Sequence, residues 1–530
     1  MTGADRGELA LVLHTHMPYV EGYGTWPFGE EWLWEAIATC YLPLLDALDA
    51  HGGGNVTVSL TPVLADQLAA PGVADRFAAF LRDVRRETHR LDVEGCRAGG
   101  KEAWARELER AAGDYERALA RTAALGGDLL SAFAPHAAWT SSATHAVLPL
   151  LATDAGVRLQ LDTGIASHRA RFDGTVVPTS GAGRAGAAAS GAAAHAGASA
   201  VGTAPATARP GAAPAREWRG GFWLPECAHA PWLDPLLQEA GVHATCVDLT
   251  DVLGRGAAAQ LTPLQSADGP LLVPIDRATI ELVWSDAGYP AHGLYRDYHA
   301  FTVHHHRVWN NAGGTYDPAA ARAQVRVDAA DFVARTIARL DAGAAELGRP
   351  ALAVCAIDTE LLGHWWYEGV DWLVAVLEEA ERQGLAIAHL DDALERHPPI
   401  PVTDALAAAP AAAAARAAAR PAGQPRELPT TTWGTPRDLS TWDGPQVADI
   451  AWRLRALELR TLAGPRRPGP RALRELLALQ ASDWAFQVTR ELSGPYPRER
   501  SAGHAAALEA ALAGEEGDGT VRALAPYLAR

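Results

Sequence analysis

Lysine is almost missing from this chain: Lys101 is the only one in 530 residues, so arginine carries nearly all of the positive charge. Basic side chains are also outnumbered, 46 against 63 acids, for a formal net charge of -17. Nucleic acid and anionic membrane surfaces attract basic faces, so neither fits this balance as a principal partner. A neutral ligand fits better. Cysteine is scarce too: Cys40, Cys96, Cys227, Cys246 and Cys355 are widely spaced and form no CxxC pair, which indicates neither a disulfide framework nor a zinc knuckle. Long apolar runs are absent, and the stretch from Leu9 to Leu13 is too short for a signal core or a membrane span. These absences predict a cytoplasmic protein in a reducing compartment with no membrane partner.

What is present is a series of short apolar runs bounded by polar or turn residues. They lie at 9–14, 56–62, 129–135, 222–226, 244–248, 271–276 and 352–358, and read as buried parallel strands. Amphipathic stretches lie between them, such as Trp104, Leu108, Ala112, Tyr115 and Leu119 at spacings of three and four. This alternation predicts an α/β barrel or a doubly wound sheet, in which ligands bind at the carboxyl ends of the strands. Residues 66–127 read as a helical excursion, and 173–216 as a low-complexity insert with little to bury. An alanine- and proline-rich linker at 401–426 then divides a barrel region, 1–400, from a mainly helical block, 427–530.

Three strand ends carry chemistry. "LVLHTHMPYV" places His14 and His16 two residues apart, on one face if the strand continues. "GFWLPECAHA" ends an apolar run with Glu226, and "ALAVCAIDTELLGHWWYEG" ends one with Asp358 and Glu360. Each alone has a structural reading: a hydrogen-bonded rim histidine, a carboxylate favoured at a helix start, an N-cap aspartate. Together, two carboxylates at separate strand ends with histidines and tryptophans around them fit a carbohydrate site. The HxH pair also fits a metal-dependent hydrolase, with the "HHH" at 304–306 as reserve ligands. A catalytically silent carbohydrate-binding protein on the same scaffold is a third reading.

"LHTHMPYV", "WLPECA" and "DTELLGHWWYEG", in that order, resemble the signatures of glycoside hydrolase family 57, in particular its 1,4-alpha-glucan branching enzymes. "VSLTPVLADQL", "ATHAVLPLL", "VWSDAGYP", "TTWGTPRDLSTW" and "LLALQASDWAFQVT" extend the resemblance over nearly the whole chain outside the two low-complexity tracts. The resemblance implies an incomplete (β/α)7 barrel with a helical insertion, and a C-terminal α-helical domain that closes over the cleft. It makes Glu226 the nucleophile and Asp358 the general acid and base of a retaining transfer on α-glucan, without cofactor or metal. On the same pattern His14, His16 and His145 line the subsite beside the scissile bond. Trp26, Trp284, Trp433 and Trp442 are stacking platforms and Asp483 reaches an acceptor sugar; independently of the pattern, the adjacent Trp365 and Trp366 are placed to desolvate the acid, with Trp365 also binding substrate. The sequence departs from the pattern in three places: residues 249–270 lack the tyrosine expected to cover the site, and Ile275 and Ala291 stand where the pattern has arginine and glycine. The missing tyrosine implies a hydrolytic, amylase-like component.

Overall fold

The chain is described here by a computed structural model that covers residues 6–24, 28–51, 53–173, 217–409, 427–465, 467–515, 517 and 521–529. The low-complexity insert beyond Asp173, most of the Ala/Pro-rich linker and Trp26 lie outside the described residues.

Seven parallel strands form the frame: β1 (Gly7–Thr15), β2 (Thr57–Leu60), β3 (Ala137–Ser141), β4 (Gly221–Trp223), β5 (Ala244–Val247), β6 (Leu271–Pro274) and β7 (Ala351–Asp358). Their order across the sheet is β6-β5-β4-β3-β2-β1-β7. Strands β1 and β7 are buried nearly from end to end, which explains why both are continuous apolar runs rather than alternating ones. The sheet curls into an incomplete (β/α)7 barrel. Its first and last strands in space, β6 and β7, make no ladder, but the Asp276 amide just beyond β6 donates to the Val354 carbonyl of β7 at 2.8 Å. That single bond bridges the seam.

The third strand differs from the expectation. Residues 129–135 contain a short 3-10 helix, Leu130–Phe133, and the strand begins at Ala137. A short apolar run has no periodicity that separates a buried strand from a buried turn of helix. The true strand, "AAWTS", looks less apolar because its last residues are polar yet fully buried, with the Ser141 hydroxyl donating to the Trp223 carbonyl at 2.8 Å.

The other elements position the site. Helices Arg86–Ala98 and Glu102–Ala124 form the main excursion between β2 and β3, and the latter contains the amphipathic stretch predicted from Trp104 to Leu119. Helices Ala448–Leu462, Pro470–Leu479, Asp483–Thr489 and Tyr496–Ala513 make the C-terminal region. Its leucines Leu473, Leu476, Leu477 and Leu508 share a core with Tyr19, Val63 and Ala143 of the barrel side. Barrel packing runs past residue 400, because helix Val402–Ala408 buries Ala405 and Leu406 against Leu249, Val252 and Leu264. Among the described residues no helix is long and apolar enough to cross a membrane.

Candidate active site

Parallel register brings three functional strand ends to one level. His14 of β1 lies opposite Ser59 of β2 on one side and Asp358 of β7 on the other. The His14 ring stacks on Trp223 at the end of β4, with centroids 4.6 Å apart and planes within 13°. His145 continues the stack, 5.0 Å from His14 and 4.0 Å from His16. The three predicted histidines therefore form one packed group.

Glu226 projects from a 3-10 turn, Pro225–Cys227, just past β4. Its backbone is left-handed, φ 61°, a conformation costing a non-glycine residue on the order of 1 kcal/mol or more and maintained only by surrounding bonds. Those bonds come from one segment: the Trp433 amide at 3.0 Å and the Thr432 hydroxyl at 2.7 Å both donate to the Glu226 carbonyl. The carboxylate is held as firmly. Trp433 Nε1 donates to Oε2 at 3.1 Å, and the Ser482 hydroxyl donates to Oε1 at 3.2 Å.

These contacts specify proton positions. If Ser482 donates to an ionised Glu226, its oxygen accepts from His145 Nδ1, 2.9 Å away. His145 Nε2 must then accept from His14 Nε2 at 2.9 Å, and His14 Nδ1 accepts from the Ser59 hydroxyl at 3.3 Å. One continuous chain thus runs from Ser59 to the Glu226 carboxylate. Burial pushes both His14 and His145 well below the ordinary imidazole range, with the neighbouring histidines adding to it, so both are neutral and each acts as donor on one nitrogen and acceptor on the other.

The acids differ in what surrounds them. Burial raises Glu226 to about 7, against the lowering hydrogen bonds from Trp433 and Ser482. Asp358 is pushed well above the carboxylate range by burial, then by the charges of Glu360 and Glu226. Donors aimed at Glu226 favour its anion, and carboxylates beside Asp358 favour its protonated form, which is the division of labour a retaining glycosidase needs. Glu360, raised by burial to about 7, is tied to the scaffold instead: it accepts from Tyr41 at 2.6 Å and from the His16 amide at 3.1 Å. Tyr41 reaches it from a π-helical stretch, Ile37–Tyr41. The adjacent Gly363 is left-handed, φ 94°, and a Cβ there would lie 2.1 Å from the Thr39 carbonyl, so "LLGHWW" can pass this helix only as glycine.

The remaining predicted residues fall in different places. Asp483 binds His16 Nε2 through Oδ1 at 3.0 Å, while its buried Oδ2 has no protein partner among the described residues. His16 is lowered by burial but raised on balance by Asp483 and the nearby glutamates. Trp284 and Trp365 are 40% and 37% exposed and meet edge to face at 5.6 Å. Trp433 is half-buried, touches Trp223, and meets Glu226 as a hydrogen-bond donor. Trp442 corrects an expectation: it is 3% exposed, packed with Val147, Ala228, Val447 and Ala485, and a buried indole offers no face to a sugar. It supports Gly434 from beneath, where a Cβ would meet the indole at 2.6 Å.

The reserve histidines do not converge. His304 bonds Asp92, His305 lies against Phe301, and His306 bonds Thr88. Among the described residues no three His, Cys, Asp or Glu side chains are grouped to hold a metal ion, and both ring nitrogens of His14, His16 and His145 face protein groups. Burial pushes the Cys227 thiol well above its ordinary range, so it packs as a neutral thiol beside Glu226.

Residues 217–405 match the profile of glycosyl hydrolase family 57. A probable 1,4-alpha-glucan branching enzyme of Mycobacterium tuberculosis is 31% identical over 94% of this chain and 90% of its own length. The chain belongs to glycosyl hydrolase family 57. A 1,4-alpha-glucan branching enzyme of Thermococcus kodakarensis is 26% identical, covering 93% of this chain and 72% of that protein. Among solved structures, a family 57 type branching enzyme from Pyrococcus horikoshii superposes with a TM-score of 0.76 at 26% identity, over 96% of this chain and 90% of that one. The fold is shared more widely, with an alpha-amylase of Thermotoga maritima at a TM-score of 0.69, 21% identity, and coverage of 97% and 95%.

Within the family 57 scaffold, Ser482, Tyr41, Ser59 and Thr432 are contacts that sequence reading passed over. Ser482 stands next to Asp483 in "ASDWAF", so the signal was one residue away. The others carry none, because a hydroxyl in a buried run looks the same whether it meets a nucleophile or a carbonyl.

Proposed function

We propose that this protein cleaves α-1,4-glucan with retention of configuration and transfers the released chain to a C6 hydroxyl, forming α-1,6 branches. Glu226 attacks the anomeric carbon as the bond to the leaving O4 breaks, and Asp358 gives its proton to that oxygen. In the second step Asp358 takes the proton of the acceptor hydroxyl, whose oxygen displaces Glu226. The observation that carries the reading is the asymmetric pair: Glu226 with two donors on its carboxylate, Asp358 flanked by acids. The relatives named as branching enzymes, at 26% and 31% identity over most of the chain, support the transfer.

Branching competes with water. Residues 249–270, where a covering tyrosine was expected, are packed at the barrel edge: Val252, Leu253 and Leu264 are buried with Leu406 and Leu428. With no aromatic side chain available from that segment, the glycosyl enzyme is shielded less, and hydrolysis accompanies transfer. His14, His16, His145, Trp284, Trp365 and the open oxygen of Asp483 complete the glucan site. Incubation with amylose, followed by debranching and chain-length analysis, tests the reading. New short side chains are expected, with reducing ends in excess of branch points; accumulation of reducing ends without any branch points makes the protein an amylase-like hydrolase.

A further inference from the structure

Resting on the α-glucan reading above, we infer that the loop 298–305 carries a remote binding track for the same polymer, outside the catalytic subsites. From the exposed Trp284 and Trp365 pair a line of rings continues outward. His364 lies 6.2 Å from Trp365, and Tyr298 lies 6.3 Å from His364. The Arg307 guanidinium covers Tyr298 at 4.3 Å and Phe301 at 5.1 Å, joining the two rings. Phe301 is 41% exposed, and Val303, next on the loop, is 87% exposed.

Such side chains at a loop tip would ordinarily fold inward or sit on a mobile hairpin. Here the tip is fastened down. Thr302 and His304 both bond the buried Asp92 of helix Arg86–Ala98, His304 at 2.7 Å. His306 is buried against His89 with ring centroids 3.6 Å apart, and it bonds Thr88 at 3.0 Å. Arg307 Nε donates to the Tyr298 carbonyl at 3.1 Å. His304, His306 and Arg307 thus buttress a platform that presents Phe301 and Val303 to solvent, which costs hydrophobic burial and is compensated when a ligand covers them.

The occupant is set by chemistry and by continuity. Aromatic faces interleaved with imidazole and guanidinium donors suit an uncharged polyhydroxyl chain, whose ring faces stack while its hydroxyls bond. The track adjoins Trp365, whose amide donates to the Glu360 carbonyl two residues from Asp358. A glucan long enough to pass Trp365 therefore meets Tyr298 and then Phe301. The platform would favour long chains over short ones without touching the reacting bond.

The test compares wild type with Phe301→Ser/Val303→Ser and with Phe301→Trp. Affinity is read by native electrophoresis in amylopectin gels, and kinetics are read on long amylose. The serine double variant should bind amylopectin roughly fivefold more weakly and show a raised KM, with kcat at saturation within twofold of wild type. Phe301→Trp should bind as wild type does, and unchanged circular dichroism establishes that each variant is folded. Wild-type affinity in the double variant, or a loss confined to kcat, overturns the track while leaving the catalytic reading intact. A wild-type protein neither retarded by amylopectin nor active on amylose sinks both. A dimer that dissociates in the serine double variant, with glucan affinity unchanged, assigns the patch to a second copy of the chain and also overturns the proposal.

Discussion

Ser482 donates to Glu226 Oε1 at 3.2 Å across 256 residues of chain. Because the serine lies immediately before helix Asp483–Thr489, the C-terminal region completes the hydrogen bonding of the Glu226 carboxylate. Replacing it with alanine leaves His145 Nδ1 and Glu226 Oε1 without their shared partner. Ser482→Ala should lower kcat/KM about tenfold, as expected when one charge-assisted bond worth roughly 1.5 kcal/mol is lost, and should leave the melting temperature nearly unchanged. Equal activity in the variant would show that the chain from Ser59 is structural only.

Loss of either carboxylate should be far more severe. Glu226→Gln and Asp358→Asn are each expected to reduce turnover of amylose by ~10³-fold or more, about 4 kcal/mol of barrier, without unfolding. Azide should rescue Glu226→Ala and yield a glycosyl azide of inverted configuration. Rescue with the retained anomer instead would remove Glu226 from the nucleophile's role.

The pH profile follows from the same pair. Activity needs Glu226 ionised and Asp358 protonated, so kcat/KM should fall on the acid side as Glu226 takes up a proton near pH 7 in the free enzyme. It should fall on the alkaline side only when Asp358 ionises, well above the usual carboxylate range. Trp433→Phe removes a donor that holds Glu226 down, so the acid limb should move to higher pH. A limb that stays in place, or moves to lower pH, contradicts the assignment of that indole.

A stability prediction concerns Glu458, fully buried in helix Ala448–Leu462. Its carboxylate accepts from the amides of Ala152 and Thr153, the Thr153 hydroxyl and Gln480, tying the C-terminal helices to the segment after His145. Glu458→Ala leaves these donors unsatisfied and should destabilise by about 3 kcal/mol or more, read by urea denaturation. Glu458→Gln should cost less, because it keeps one acceptor oxygen.

The flanks of the low-complexity insert meet: the Trp218 amide donates to Asp173 Oδ1 at 3.1 Å. Replacing residues 174–216 with a short Gly/Ser linker should therefore preserve both the melting temperature and branching. A folded but inactive protein after that replacement would assign the insert a part in the reaction.

What the sequence by itself determined is the architecture and the strand ends at which Glu226 and Asp358 stand. An apolar run sets a buried strand, a parallel sheet sets where ligands bind, and His14, Glu226 and Asp358, at or just past the ends of such runs, therefore come to that rim. The tertiary structure decided what each residue meets. Trp433 stands 207 residues from the carboxylate it serves, and nothing near either residue announces the pairing. Trp442, in the same loop and of the same residue type, is buried, while Trp284 and Trp365 are exposed. The third strand began at Ala137 and not at residue 129, because the strand's polar end is interior: Thr140 and Ser141 are fully buried, and the Ser141 hydroxyl donates to the Trp223 carbonyl. Burial and hydrogen bonding are sums over segments brought together from the whole chain, whereas a strand end is written within a few residues. The positions of Glu226 and Asp358 at strand ends were therefore readable from the sequence, and their partners were not.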